Sequence, residues 1–428
     1  MTGTKIISVR GRRVWDSRGR PTVEAEVALQ CGAVGRGIAP AGASTGSGEA
    51  VDLRDGGTRH GGHDVRKAVG AVNELIAAVL VNRDANDQAA IDESLITLDG
   101  TANKSRLGGN ATIAVSMAVL SARASANGQA VWEHLSSGRD VRLPLPEIQI
   151  FGGGAHASRR VDVQDFMIMP LGAGSFAEAL DWTSEVYRAA GAAMKTAGKL
   201  QGVADEGGYW PNFLSNEEAL EYLVRAIDQA GLKPGANVGI SLDIAANQFA
   251  TAGRYRLALD QRELDAAELI SLLCRWIDAY PIVSIEDPVA EDDAAGFAEI
   301  TRLVGARCQI IGDDFLVTNA DRIDAAVERR SLTAALIKPN QAGTISETLA
   351  ALAKAKAGGL GTIVSARSGE TEDTLVAHLA VGLDAGQIKV GSFARSERMA
   401  KWNECLRIEE ALGSKVAFAG RSALAFSK

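Results

Sequence analysis

Short apolar runs, each ending on a polar residue, recur through the second half of the chain. Residues 238–242 (VGISL) end on Asp243, 281–285 (PIVSI) on Glu286, 309–312 (QIIG) on Asp313 and 334–337 (AALI) on Lys338. Residues 361–365 (GTIVS) lead to Arg367 and Ser368, and Gln387 and Ile388 lead to Lys389. Nearly continuous apolar runs of this length predict parallel strands covered on both faces. Helical patterns lie between them. Ser215 with Glu218 forms a capping box; Leu220, Leu223, Val224 and Ile227 follow at helical spacing, and Gly231 stops the helix. Thr344 with Glu347 starts another helix in the same way. The endpoints from 243 to 286, 313, 338, 367 and 389 are 43, 27, 25, 29 and 22 residues apart. That cadence is strand–helix–strand, repeated, and in a (β/α) barrel the carboxyl ends of the strands converge on one mouth.

The first 135 residues or so mix signals. Residues 23–27 (VEAEV) alternate like a strand with one buried face, and 110–126 read as an apolar helix. Residues 142–146 (RLPLP) resist both helix and strand, so the domain boundary is placed there. The expected division is an N-terminal α+β domain over 1–138 and a barrel domain over 139–428.

Composition narrows the function. Hydrophobic and charged contents of 46% and 23% are those of a globular chain. A net charge of −8 argues against nucleic acid, which needs a basic face. No apolar run reaches membrane length and no N-terminal apolar stretch resembles a signal peptide, so a cytoplasmic protein without a membrane partner is expected. Cys31, Cys274, Cys308 and Cys405 are scattered, as expected of reduced thiols. His60 and His63 sit in a polar, glycine-rich stretch and are read as a solvated loop; His134, His378 and the tryptophans Trp132, Trp182, Trp276 and Trp402 are read as structural.

Asp243, Glu286 and Asp313 at successive strand ends would make a hard-oxygen site suited to Mg²⁺. Lys338, at the next strand end, is either a base whose pKa is lowered by a neighbouring cation or the partner of one acid in an ion pair. Arg367, Ser368 and Lys389 add anion ligands, and Ser368-Gly369 leads into an apolar helix over 375–383, whose start would favour phosphate or carboxylate. The small-residue loop 42–46 (GASTG) would close over a ligand. Metal, lysine and anion clamps together suggest proton removal next to a carboxylate. One unit charge pair at ~4 Å is worth roughly 4 kcal/mol at an effective dielectric near 20, so divalent charge offsets much of the cost of forming a dianion.

The segments 16–23 (DSRGRPTV), 42–46 (GASTG), 205–209 (DEGGY), 284–288 (SIEDP), 312–319 (GDDFLVTN), 336–341 (LIKPNQ), 368–373 (SGETED), 386–389 (GQIK) and 407–412 (RIEEAL) occur in an order that resembles the enolase (phosphopyruvate hydratase) family over nearly the whole chain. The resemblance implies a barrel that opens ββαα and continues (βα)₆, an N-terminal α+β domain, and usually a homodimer. It implies dehydration of 2-phosphoglycerate in glycolysis with two Mg²⁺ per site. A lysine base beside Mg²⁺ is the general pattern of enolase-superfamily sites, not a result of this sequence. By position, Asp243, Glu286 and Asp313 match the ligands of the tightly held Mg²⁺, Lys338 the base at C2, and Glu206 the acid that assists loss of the 3-hydroxyl. Arg367 and Ser368 match phosphate ligands and Lys389 a carboxylate ligand. Ser44 matches the loop serine that joins the second Mg²⁺, and His156 and Gln164 match pocket residues.

The departures cluster. The family's QEFMI is 164–168 (QDFMI), its SHRSG is 365–369 (SARSG), and its NGG is 152–154 (GGG). Trp210 follows DEGGY where the family has alanine, and AASEF is 245–249 (AANQF). Asp165 and Ala366 therefore replace a glutamate and a histidine near the leaving hydroxyl. Three readings follow: an ordinary enolase, repacked with Trp210 filling the space at Ala366; a paralogue that forms the same enolate but treats the third carbon or the phosphoryl group differently, as carboxyphosphonoenolpyruvate synthase does; and a catalytically weak binding protein.

Overall fold

In the computed structural model, which describes residues 3–413 and 416–426, the recurrent apolar runs are the staves of a closed barrel. Ahead of it, β1 (Ile6–Trp15), β2 (Pro21–Leu29) and β3 (Val34–Ile38) form an antiparallel meander. Val23, Ala25 and Val27 of β2 are fully buried, while Glu24 and Glu26 on the other face pair with Arg12. The expected helix over 110–126 is Gly109–Ala126, which lies on this sheet among the core residues. Gly35 lets it approach, because a Cβ there would stand 2.1 Å from the Ala122 backbone nitrogen.

The barrel strands are β4 (Leu145–Gly152), β5 (Asp165–Met169), β8 (Gly239–Asp243), β9 (Ile282–Glu286), β10 (Gln309–Gly312), β11 (Ala334–Ile337), β12 (Gly361–Ser365) and β13 (Gly386–Ser392), with β6 (Leu200–Val203) and β7 (Tyr209–Pro211) as a hairpin added beside β4. β5 runs antiparallel to β4 and β8, all other staves are parallel, and β13 closes on β4. Two helices, Phe176–Thr196 and Asn216–Gln229, separate β5 from β8, and every later strand is followed by a helix. The fold is thus an α/β barrel of ββαα(βα)₆ form.

Two local expectations change. Residues 142–146 are not structureless: Arg142–Leu143 pairs with Ala417–Phe418, and β4 begins at Leu145. Pro146 is tolerated because β4 there pairs only with β13; β5 joins from Ile148 onward, so no neighbour needs the missing N–H. The apolar helix starts at Leu375 as expected, but its first amide is satisfied by Asp373 at 2.8 Å, so its start is not a site for an anion held by Arg367 and Ser368. Arg367 and Ser368 therefore sit in the loop after β12, not on a helix terminus. The predicted caps form: the Ser215 hydroxyl accepts from the Glu218 amide, and Gly231 has φ +76°.

The barrel interior is partly polar. Gln309 donates to Ser284 and exchanges hydrogen bonds with Gln387, and Ser241 donates to Glu147 at 3.3 Å. Burial pushes the Glu147 carboxyl up to about 7. Beneath the 366–371 loop, the helix Ser396–Leu412 sends in two fully buried cations. Arg398 donates to the carbonyls of Arg367 (2.6 Å), Val390 (2.9 Å) and Ser368. Lys401 donates to the Thr371 carbonyl at 2.6 Å and pairs with Glu370 at 3.0 Å. The Arg398→Met variant strips the buried carbonyls of Arg367 and Val390 of this donor and leaves Ser368 the 3.4 Å bond from Ser17, and each unsatisfied group costs about 1–3 kcal/mol. A loss of at least about 2 kcal/mol in unfolding free energy is expected, read as a lower urea midpoint at unchanged m; a change below about 1 kcal/mol would show that Arg398 does not hold this loop.

Candidate active site

Strand register brings the acids together. Asp165 on β5 is the Cα partner of Asp243 on β8, and Asp243 is the partner of Glu286 on β9. Neighbouring strands run about 4.8 Å apart, so three carboxylates stand in a row across the mouth. Asp313 and Lys338 follow β10 and β11, and Lys389 rises from β13. Asp313 is positioned by Asp287, whose carboxylate accepts the amides of Asp313 (2.9 Å) and Asp314 (2.8 Å).

Buried cations interleave with these acids. Lys389 Nζ donates to Asp243 at 2.9 Å and Glu286 at 2.7 Å, and lies 3.9 Å from Asp165. Burial opposes its charge, but Asp243 and Glu286 outweigh burial and hold Lys389 well above its ordinary pKa. Lys338 Nζ donates to Asp313, which also accepts from Gln341 at 2.9 Å. Burial lowers Lys338, and Asp313 more than offsets it, so the lysine is charged. Of the two roles open for Lys338 in the sequence, this geometry contains the ion pair; acting as a base requires that Asp313 release it. Glu286 is held well above the carboxylate range, first by burial and then by Asp243, and its Oε1 is buried without a hydrogen-bond partner.

A second group lies beside this row. His156 Nδ1 is 2.9 Å from Asp165 Oδ1, and His156 Nε2 is 3.6 Å from Glu206. Burial disfavours the imidazolium, yet Asp165 and Glu206 push His156 up to about 9. Ligand atoms of His156, Asp165 and Glu206 all lie within 4.8 Å of one another, as do those of Asp287, Asp313 and Asp314. The expected trio Asp243, Glu286 and Asp313 is not that tightly gathered; Lys389 is wedged against the first two and Lys338 against the third.

Arg367 carries the closing loop. It pairs with Glu49 at 3.0 Å and donates to Asn340 (3.1 Å) and to the Ser44 carbonyl (2.9 Å). A Cβ on Gly42 would stand 2.1 Å from the guanidinium, so glycine permits this approach. The Ser368 hydroxyl accepts from Arg18 at 3.3 Å. Gln164 donates to Asp243 at 2.8 Å and accepts from Gln248, so it holds a carboxylate in place.

A small cavity of about 20 Å³ is lined by Ser44, His156, Gln164, Asp165, Glu206, Asp243, Lys338, Ala366, Arg367, Ser368 and Lys389, among others. Glu286 and Asp313 are not in its lining; they lie behind the lysines. Trp210 is half-buried on the β6–β7 hairpin and is not in the lining. The volume holds about one water. A larger cavity of about 870 Å³ lies on the far side of that loop, along Ser47, Tyr255, Glu291 and Arg322, and contains none of the mouth acids.

Sequence reasoning missed Glu49, Asn340, Gln341, Gln149, Arg398 and Arg18. Asn340 and Gln341 lie inside a motif already noted, directly after Lys338, and Arg398 with Lys401 repeats at helical spacing in an otherwise charged helix. His60 and His63 lie in an exposed to half-exposed loop, where His60 packs edge-on against Trp15. The four cysteines are unpaired, and among the described residues no helix is long and apolar enough to cross a membrane.

Comparison with known proteins adds the last observation. Residues 6–135 match the family model for the enolase N-terminal domain, and 140–426 match that for the enolase C-terminal TIM barrel domain. The chain is 48% identical over 428 residues to a protein named Enolase 1 from Desulfitobacterium hafniense (strain Y51), covering 99% of this chain and 98% of that protein. With an in-register row of acids at the mouth of a ββαα(βα)₆ barrel, the chain belongs to the enolase family and is an enolase-type lyase.

Proposed function

We propose that the protein dehydrates 2-phospho-D-glycerate to phosphoenolpyruvate with Mg²⁺. What supports this reading is the meeting of Lys338, Lys389, Arg367 and Glu206 with Asp165 and Asp243 of the carboxylate row around one cavity. Arg367 and Ser368 bind the phosphoryl group, and Lys389 binds the substrate carboxylate. Lys338 Nζ removes the C2 proton, and the C–H electrons pass into the carboxylate as an enolate. They return to form the C2–C3 double bond as the C3 hydroxyl leaves with a proton from Glu206. His156, held between Asp165 and Glu206, fixes that acid.

A divalent ion fits these residues: the donors are hard oxygens, Glu286 Oε1 is an orphaned buried acceptor, and the carboxylates are otherwise balanced only by lysines the reaction needs free. Asp243, Glu286 and Asp313 would hold Mg²⁺, Ser44 would join a second ion, and their charge would stabilise the dianionic carboxylate of the enolate. Glycolysis, the cytoplasm and a homodimer are the family setting this reading brings with it, over domains 1–138 and 139–428. A second reading is favoured by Ala366, which leaves His156 as the single imidazole in the cavity lining: the same enolate forms, but a different group departs.

Supplied with 2-phosphoglycerate and Mg²⁺, the enzyme is expected to generate the ultraviolet absorbance of the enol phosphate, and Lys338→Ala to lose at least about 10²-fold in kcat, the low end for a positioned proton-transfer group. No product from the native enzyme defeats the dehydration, and a variant of undiminished turnover defeats the base assignment.

Chelation by EDTA is expected to abolish turnover and lower the thermal midpoint, both recovering with added Mg²⁺. At 100-fold excess over Kd the ion adds about 2.7 kcal/mol of stability. Full activity in the chelated enzyme contradicts the metal assignment.

A further inference from the structure

Gln149 on β4 is fully buried, lies outside every sequence motif noted above, and joins two parts of the site, Asp165 and the turn that carries Glu206. Its Nε2 donates to Asp165 Oδ1, and its Oε1 accepts the Gly208 amide at 2.8 Å. Gly208 belongs to the turn that carries Glu206; the Glu206 carbonyl in turn accepts from the Ser392 amide at 2.9 Å. One side chain thus fixes the spacing between Asp165 and the Glu206 turn. Room for it is built in. A Cβ on Gly208 would stand 2.3 Å from Gln149 Oε1, and the three atoms nearest that Cβ all belong to Gln149. Gly208 does not have positive φ, so its lack of a side chain answers to Gln149 and not to backbone strain.

We infer that Gln149 is a positioning residue for departure of the leaving group, acting through Asp165 and Glu206 and not on proton removal at C2. The inference rests on the proposed dehydration. Asp165 Oδ1 takes both the Gln149 amide and His156 Nδ1, which leaves Oδ2 buried without a hydrogen-bond partner. The donated amide therefore decides which oxygen of this short carboxylate meets the imidazole. Lys338 and Asp313 make no contact with Gln149, so the proton-removing half is independent of it.

The test measures two rates on 2-phosphoglycerate in deuterated water: exchange of the C2 proton and formation of phosphoenolpyruvate. Gln149→Leu, which keeps the bulk and removes the amide, is expected to slow dehydration by about 10–10²-fold, the scale of a 1 Å misplacement. Exchange is expected to be retained, so the exchange-to-dehydration ratio rises at least about 10-fold. Gly208→Ala, which displaces the Gln149 amide while leaving the residue in place, is expected to raise the same ratio. In both variants the Gly208 amide should lose protection from hydrogen exchange. Equal losses in both rates, or an unchanged ratio in Gly208→Ala with the amide exposed, overturn the inference. A native enzyme that neither exchanges C2 nor forms product defeats the dehydration reading and the inference with it.

Discussion

The bridging of Asp243 and Glu286 by Lys389 is the constraint on which the barrel mouth depends. Two acids on adjacent, in-register strands cannot both be buried as bare anions, because desolvating each ion costs several kcal/mol and the like charges repel. Lys389 from the closing strand β13 answers both at 2.9 and 2.7 Å. Lys338 does the same for Asp313, and His156 for Asp165 and Glu206. The site is assembled as pairs of opposite charge, and each cation that stabilises the resting protein is one that the proposed reaction calls on. A divalent ion at the carboxylates would take over the balancing charge and free the lysines for substrate.

The same logic explains the neighbourhood of the pairs. Uncharged amides fill the remaining valences: Gln164 on Asp243, Gln341 on Asp313, Gln149 on Asp165. They fix carboxylate orientation without adding net charge. The 366–371 loop is supported from below by Arg398 and Lys401, whose charges are spent on backbone carbonyls and Glu370.

Much of this was legible in the chain. Apolar runs ending on Asp243, Glu286, Asp313 and Lys338 marked both the strands and the mouth, because a charge is more easily placed at the end of a stave covered on both faces than along it. Residues whose meaning depends on register were not legible. Gln149 reads as an ordinary strand residue until β4 and β5 are paired, and Pro146 reads as a strand breaker until β4 is seen to have one neighbour there. The start of the apolar helix at Leu375 was legible, but not that Asp373 would take its first amide and leave Arg367 and Ser368 in the loop before it. Trp210 was weighed as a space filler for Ala366; it lies on the β6–β7 hairpin and is not in the cavity lining.

In the proposed dehydration, the substitutions at Asp165 and Ala366 fall on the half that expels the hydroxyl, which that reading assigns to Glu206, His156 and Asp165. The central claim is therefore that this mouth makes an enolate from a phosphorylated carboxylate. The most direct measurement follows the C2 proton of 2-phosphoglycerate by NMR in deuterated water with the native enzyme and Mg²⁺. The account predicts that the C2 signal disappears at a rate at least equal to product formation; substrate that keeps its C2 proton indefinitely in the presence of enzyme and metal would contradict it.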